Sequence, residues 1–116
     1  MTQPHLSPSV RSGEIIFTSG QLAFDAEGHI EGDVVHQTRV ILQRIASLLA
    51  PSGLGLTDIG KTTVWLRRAS DFEAFNAAYA SVFGTHRPAR STVVCGLTVP
   101  EALVEIEAVA WSGGSA

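Results

Sequence analysis

The stretch from Leu103 to Trp111 restricts the possible folds of this chain more than any other segment. Its side chains alternate with the two-residue period of a β-strand, and both faces of that strand carry large apolar groups. The two alternating sets are Val104, Ile106 and Ala108 on one face, and Glu105, Glu107, Val109 and Trp111 on the other. A strand of this kind needs cover on both sides of its sheet.

Two amphipathic helices are predicted from capping and stop residues. Asp33 is a good N-cap for a first helix with apolar residues at the i, i+3, i+4 spacing, and Pro51 and Gly53 end it. Ser70 and Glu73 form a capping box that predicts the start of a second helix. We expect this helix to bury Phe72, Phe75, Tyr79, Val82 and Phe83 in the core.

Strand patterns cover residues 14–19, 22–24 and 61–68, and two more strands follow the second helix. The order is strands, helix, strand, helix, strand, strand, which predicts an α+β fold with two helices packed on one sheet face. Two helices cover only one face, and Trp65 and Trp111 indicate that the other is not left to solvent. We therefore expect subunits to associate through the second face, the alternative being a monomer with a solvated, partly apolar face.

Composition agrees with a single domain that buries extra surface in an oligomer. The chain has 116 residues, enough for one core, and we assign residues 1–111 to one domain and residues 112–116 to a flexible tail. Only 16% of the residues are charged, against about 25% in typical globular proteins. Little charge is therefore available to cover a large free surface.

Charge and cysteine content exclude several functional classes. The net charge of −3 does not indicate a positively charged surface of the kind that binds nucleic acid or an anionic membrane. A single cysteine, Cys95, rules out an internal disulfide and a multi-cysteine zinc site and fits a reducing, cytoplasmic location. We expect Cys95 to be a buried strand residue. The four histidines form no metal-binding pattern, and the first thirteen residues lack the apolar segment of a signal peptide.

Two charges stand in segments that otherwise resemble buried strands. Arg90 opens the run that continues through Thr92 to Leu97, and Glu105 lies within the alternating strand. A charge in such a position is costly unless it is paired or meets a charged ligand. We expect the two strands to be neighbours in the sheet, where Arg90 and Glu105 would either form an ion pair that holds subunits together or jointly hold a small polar molecule. The residues alone leave both interpretations open.

Short motifs along nearly the whole chain resemble the Rid family, also called the YjgF or endoribonuclease L-PSP-like family. Each motif is weak by itself, but their order and spacing together are specific. The matching segments are residues 17–21, 37–38, 61–66, 71–72, 75–76 with Tyr79, 88–91 and 104–110.

The resemblance implies a chorismate-mutase-like α+β fold and a homotrimer. In such trimers the sheets form a central β-barrel, the helices lie outside, and ligand clefts lie between subunits. Well-studied members hydrolyse reactive 2-imino and 2-enamino acids to 2-oxo acids and ammonia, without a metal or cofactor. The implied partner is therefore a small carboxylate-bearing molecule, with no nucleic acid and no membrane.

The resemblance also implies roles for five residues. Arg90 corresponds to the arginine that binds the substrate carboxylate, a task that suits its planar donor fork. Glu105 corresponds to the acid that orients the attacking water and transfers a proton to the leaving ammonia. Ser19 and Gly20 correspond to residues that line the cleft at the end of a strand. Asn76 matches a helix position near the site.

Some positions depart from the deaminase pattern. A tyrosine that covers the ligand in deaminases corresponds to Leu6, and a cysteine two residues after the arginine corresponds to Thr92. Thr92 shares a strand face with Arg90, so its hydroxyl could contact ligand or serve only in packing. Burial would raise the pKa of Glu105 and Arg90 would lower it, and the sequence leaves that balance open.

Three functions are therefore considered. A hydrolytic deaminase acting at clefts between subunits is the leading hypothesis. A non-catalytic trimer of the same family, binding small ligands or acting as a chaperone, would use the same cleft without turnover. The ribonuclease activity in the family's older name is disfavoured by the acidic charge and the missing basic groove.

Overall fold

The computed structural model describes residues 4–112, which form one five-stranded sheet with two helices on one face. The strands are β1 (Ser9–Ser12), β2 (Ile15–Thr18), β3 (Ile59–Leu66), β4 (Ala89–Val94) and β5 (Val104–Trp111), and the helices are α1 (Val34–Leu49) and α2 (Phe72–Phe83). Short 3₁₀ turns at Ala50–Ser52, Leu56–Asp58 and Ala69–Asp71 connect these elements. The predicted α+β fold with two helices is confirmed.

The sheet order, β1-β2-β5-β3-β4, places β3 between the two strands that carry Arg90 and Glu105. β3 is parallel to β4 and antiparallel to β5. The prediction that Arg90 and Glu105 lie on neighbouring strands is therefore wrong. The reason is the crossover: α2 carries the chain from β3 back to a parallel β4, and β5 then pairs on the opposite side of β3.

The ends of α1 follow from local sequence, as predicted. The side chain of Asp33 accepts a hydrogen bond of 2.9 Å from the backbone N–H of His36, which satisfies one of the free donors of the first turn. After the 3₁₀ turn, Gly53 takes a positive φ of 75°, a conformation that glycine adopts without strain. The buried face of α1 packs onto the sheet through Ile41, Leu42, Ile45 and Leu49.

The start of α2 differs from the prediction. The chain enters the helix through the 3₁₀ turn Ala69–Asp71, and Asp71 takes the N-cap position with a helical backbone and no side-chain capping hydrogen bond. The predicted capping box of Ser70 and Glu73 is therefore wrong. A cap needs an extended backbone at the N-cap residue, and the preceding turn does not provide one.

The N-terminal part also differs from the prediction. Residues Ser9–Ser12 form an edge strand that the sequence did not indicate, joined to β2 by a turn in which Gly13 has a φ of 59°. Residues 22–24 do not form a strand, since only single bridges occur there, from Gln21 to Ile106 and from Phe24 to Ile30. A short polar edge strand gives no alternating pattern, which explains why β1 was missed.

The two faces of the sheet are unlike each other. The face under the helices carries the buried core, in which Val64, Leu66, Val104 and Ile106 are fully buried. The other face, which we call the open face, carries exposed apolar side chains from strands β1, β2 and β4, namely Val10, Ile15, Phe17 and Val93. Half-buried Trp65 and Trp111 lie on this face as well.

No helix among the described residues is both long and apolar enough to cross a membrane. Of the predicted tail 112–116, only Ser112 falls within the described residues, and the remainder lies outside them.

Candidate functional site

Arg90 projects from β4 toward α2, on the face of the sheet that the helices cover. Its register partner on β3 is the fully buried Thr62. The guanidinium carbon lies 4.8 Å from the ring centroid of Tyr79, 5.3 Å from that of Phe75 and 5.9 Å from that of Phe72. A cation–π contact contributes about 0.5–2 kcal/mol, depending on how far the charge is desolvated. We call these three rings the aromatic cradle.

The cradle is anchored to the sheet by a buried hydrogen bond. The hydroxyl oxygens of Tyr79 and Thr62 are 2.7 Å apart. Burial raises the pKa of Tyr79, and this effect exceeds the opposing effects of the Thr62 hydrogen bond and the Arg90 charge. Tyr79 therefore remains a neutral phenol near pH 7, with its ring in a fixed position below the guanidinium.

A groove of about 510 Å³ opens beside Arg90, between α2 and the start of β4. Its lining includes Asn76 and Arg87, and none of the described residues that line it is acidic. The structure thus brings Asn76 and Arg90 to one groove, as the sequence suggested. Thr92 follows two residues later on the same face of β4, paired with Val64. We call Arg90, Asn76 and this groove the arginine half-site; its charge suits an anionic ligand.

Glu105 lies on the open face of β5, opposite Trp65 of β3. Its carboxylate packs against Gly20 so closely that a Cβ atom on Gly20 would collide with Oε2. Gly20 is held there by its neighbour Gln21, whose backbone N–H donates to the carbonyl of Ile106 (2.8 Å) and whose carbonyl accepts from the N–H of Ile106 (3.2 Å). We call Glu105, Gly20 and Ser19 the glutamate half-site.

The charged form of Glu105 is disfavoured within a single chain. Burial raises the pKa of this carboxyl, and repulsion from Glu107 on the same face raises it further. Arg90 does not counteract either effect, since its side chain lies on the other face of the sheet. The sequence left open whether burial or Arg90 would determine the pKa of Glu105. In the isolated chain burial does, and the pKa is raised.

Ser19 uses its hydroxyl hydrogen to hold the N-terminal segment. Its Oγ donates to the carbonyl of Ser7 at 2.6 Å, and its backbone N–H donates to the carbonyl of Pro8 at 2.8 Å. The Ser19 oxygen keeps its lone pairs as acceptors. Leu6 precedes this attachment point and is exposed, with 62% of its surface accessible.

The two half-sites do not meet within one chain. Strand β3 separates Arg90 from Glu105, and their side chains leave the sheet on opposite faces. An ion pair between these two residues of the same chain is therefore excluded. Ser19 and Gly20 accompany Glu105, whereas Asn76 and Thr92 accompany Arg90.

Sequence reasoning missed the aromatic cradle as part of the site. Phe72, Phe75 and Tyr79 were expected to be buried in the core, which is correct for Phe75 and Tyr79, but Phe72 is 41% exposed. Their i, i+3, i+7 spacing indicated a common helix face. Nothing in that spacing indicated that Arg90 would lie against it, because the contact depends on how β4 returns to β3.

Cys95 is exposed, whereas His86 is held by a contact with the backbone. Cys95 directly follows β4 and is exposed, so the expectation that it is buried is wrong. His86 places Nε2 2.7 Å from the carbonyl oxygen of Ile59, which fixes the chain between α2 and β4. Within residues 4–112, no group of three or more His, Cys, Asp or Glu side chains is arranged to hold a metal ion.

Known proteins resemble this chain in both sequence and structure. A 3-aminoacrylate deaminase RutC of Acinetobacter baylyi is 38% identical over 114 residues, which cover 94% of this chain and 90% of the relative. The crystal structure of the YjgF gene product of E. coli matches with a TM-score of 0.85 at 34% identity, over 91% of this chain and 87% of that chain. E. coli TdcF, solved with bound serine, matches with a TM-score of 0.86 at 32% identity, over 97% and 91% of the two chains.

The sequence profile described as endoribonuclease L-PSP matches residues 2–112, nearly the whole chain. Profile, relatives and solved structures agree with the motifs and with the arrangement of strands and helices. The chain therefore belongs to the endoribonuclease L-PSP family, which is also called the YjgF or Rid family.

Proposed function

We propose that this protein is a homotrimeric deaminase that hydrolyses small, carboxylate-bearing imino or enamino acids to oxo acids and ammonia. Each active site would join the arginine half-site of one subunit to the glutamate half-site of the next. The observation that carries this proposal is the placement of Arg90 and Glu105 on opposite faces of one sheet. Two complementary halves that cannot meet within one chain can meet when copies associate around a closed ring.

The open face supports association. Its exposed apolar side chains, together with two half-buried tryptophans, form a surface that a solitary domain of this size rarely leaves in water. Glu105 and Glu107 lie on the same face. Covering this face with other subunits would bury the apolar groups and bring a cation of a neighbouring subunit close to Glu105, which would offset its unfavourable charge.

Arg90 would bind the substrate carboxylate. A guanidinium presents parallel N–H donors that match the two oxygens of a carboxylate, so it fixes orientation as well as position. Asn76 would add a neutral polar contact in the same groove. An imine carbon is already electrophilic, so holding it beside a positioned water lowers the barrier to attack by that water.

Glu105 would act first as the general base and then as the general acid. The substrate reacts as its protonated imine. Ionised Glu105 accepts a proton from water as the water oxygen bonds to the imine carbon and the C=N π pair moves to nitrogen, which gives a neutral carbinolamine. Protonated Glu105 then donates that proton to the nitrogen as the C–N bond breaks, and the hydroxyl proton passes to the departing ammonia as the carbonyl forms. The sum is protonated imine plus water to 2-oxo acid plus ammonium, with Glu105 ionised again. Burial and Glu107 raise the pKa of Glu105 in the single chain, and a substrate carboxylate bound to Arg90 would neutralise the cation across the cleft, so one carboxyl can serve both steps near neutral pH.

The relatives support the substrate class. The protein of Acinetobacter baylyi that is 38% identical is named as a deaminase of 3-aminoacrylate, a small enamine with a carboxylate. TdcF, with a fold like that of this chain, was solved with serine, another small molecule that carries a carboxylate. Both ligands fit a site with an arginine anchor.

The test is deamination of freshly generated enamines. A pyridoxal-phosphate dehydratase acting on serine or threonine supplies 2-aminoacrylate or its homologue, and the appearance of 2-oxo acid is followed with and without this protein. We expect acceleration over the spontaneous rate, and a loss of about a hundredfold or more in Glu105→Gln. Glu101→Gln, which removes an exposed carboxylate in the loop before β5, is the matched control.

Absence of acceleration, also with 3-aminoacrylate as substrate, would contradict the deaminase proposal. If the protein then still bound 2-oxo acids, the non-catalytic binding function would be favoured. Cleavage of RNA by rigorously purified protein that persists in Glu105→Gln would instead support a nuclease, which the net charge of −3 argues against.

A further inference from the structure

Three aromatic rings surround the guanidinium of Arg90, and the proposed chemistry assigns a role to none of them. Phe72, Phe75 and Tyr79 all belong to α2, and their centroids lie within 5.9 Å of the guanidinium carbon. Core packing alone would not require a cation at this place. Leucine or methionine in place of the arginine would fill the same space at a lower desolvation cost.

The rings restrict a side chain that would otherwise be mobile. An arginine carries about 2 kcal/mol of rotamer entropy, and part of this is lost when it binds a ligand. The negative faces of the aromatic rings attract the cation and favour the orientation in which it lies against them. Aromatic faces do not compete as acceptors in the plane of the guanidinium, so its N–H donors stay available to a carboxylate.

The position of Tyr79 is itself fixed by the sheet. Its hydroxyl is hydrogen-bonded to Thr62, and Thr62 is the register partner of Arg90 on the adjacent strand. Thr62 of β3 therefore positions both the Tyr79 ring and the backbone that carries Arg90. Phe72, at 41% exposure, lies at the solvent side of the cradle.

We propose that Phe72, Phe75 and Tyr79 are positioning residues that orient Arg90 for two-point capture of a carboxylate. The site would therefore select an anionic, planar head group over a neutral group of the same shape. This inference rests on the proposed function, because it specifies how the arginine half-site recognises its substrate.

The test compares two probes of similar shape, one with two accepting carboxylate oxygens and a negative charge, the other with a neutral amide. Pyruvate carries the carboxylate, and pyruvamide replaces it with an uncharged amide of similar shape. Dissociation constants for both are measured by calorimetry on the assembled wild-type protein and on Tyr79→Leu, Tyr79→Phe and Phe72→Leu. The exposed position of Phe72 allows its replacement without loss of the core. Val82→Ala, a change in the same helix on the side that faces α1, controls for weakening of the helix.

We expect wild-type protein to prefer pyruvate, and Tyr79→Leu to reduce that preference by about tenfold, which corresponds to the loss of one desolvated cation–π contact. Phe72→Leu should reduce the preference by about threefold, because its ring is farthest from the charge and partly in solvent. Val82→Ala should stay within about twofold of wild type, whereas Tyr79→Phe, which keeps the ring but loses the hydrogen bond to Thr62, should lose less of the preference than Tyr79→Leu. In turnover, the change in Tyr79→Leu should appear in KM, with kcat nearly unchanged.

Equal losses for pyruvate and pyruvamide would show that the cradle serves only folding, and unchanged affinities in both ring variants would also overturn the inference. If wild-type protein showed no preference for pyruvate, the carboxylate site of the proposed function would fail first, and the inference with it. Thermal unfolding and sedimentation of each variant separate these outcomes from loss of the fold or of the assembly.

Discussion

The arginine half-site and the glutamate half-site are built on opposite principles. The guanidinium of Arg90 lies in a cradle of three rings that one chain completes by itself. The carboxylate of Glu105 lies on an exposed apolar face beside a like charge, where burial and Glu107 disfavour its ionised form. The arginine half-site is stabilised within one chain, whereas the glutamate half-site lacks a counter-charge there. Under the proposed function, the glutamate half-site is therefore the half that would depend on assembly.

The largest effect is expected when the two half-sites are inactivated on different subunits. Arg90→Ala and Glu105→Gln should each lower activity by about a hundredfold or more. Refolded together in equal amounts, they should regain about one quarter of the wild-type activity per subunit, because random mixing leaves about one interface in four with both halves intact. Steady-state deaminase rates measure this.

The matched control mixes Arg90→Ala with the double variant that carries both changes, which leaves no interface with an intact arginine. That mixture should remain inactive. If the first mixture also stayed inactive while native mass spectrometry showed mixed assemblies, the two halves would not meet between subunits.

A smaller effect should follow from moving only the carboxylate. In Gly20→Ala, the new methyl group would occupy the place of Oε2 of Glu105. Because that atom ends a flexible side chain, the carboxylate should turn away while the fold is kept. We expect kcat to fall by about tenfold to a hundredfold, since a misplacement of about 1 Å has such effects.

Gly96→Ala is the control for this change, because a Cβ atom there meets nothing within 4 Å. Its kcat should equal that of wild type. Full activity in Gly20→Ala would mean that the position of Glu105 does not govern the reaction.

The smallest effect concerns the pH profile. Glu107 raises the pKa of Glu105, and burial raises it more. In the proposed mechanism the ionised form of Glu105 accepts the proton from water, so activity should fall as pH falls through this pKa. Glu107→Gln removes one of the two causes, so the acid limb of kcat/KM should move to lower pH. An unchanged or upward-shifted limb would show that another group controls it.

Local features of the fold could be predicted from the sequence, and nonlocal ones could not. The cap of α1 at Asp33 and the alternation in β5 depend on a few neighbouring residues, and both predictions are confirmed. The edge strand Ser9–Ser12 is short and polar, so no periodicity revealed it. The capping box at Ser70 was wrong because a 3₁₀ turn set the backbone before α2.

The same division applies to the site. Arg90 and Glu105 could be singled out because charges in strands are costly. Their separation by β3 depends on the order in which strands pair, which no local pattern records. The cradle was missed for a similar reason: the spacing of Phe72, Phe75 and Tyr79 shows a shared helix face but not which cation packs against it. The roles assigned to Arg90 and Glu105 stay predictions.

The side chains of Arg90 and Glu105 leave one sheet on opposite faces, so the proposed activity would begin only when subunits associate. Under the proposed pairing, a newly synthesised chain that has folded but found no companions would be inert. Turnover per chain would then drop steeply on dilution below the dissociation constant of the ring, and the cellular level of the protein would itself set when the chemistry begins.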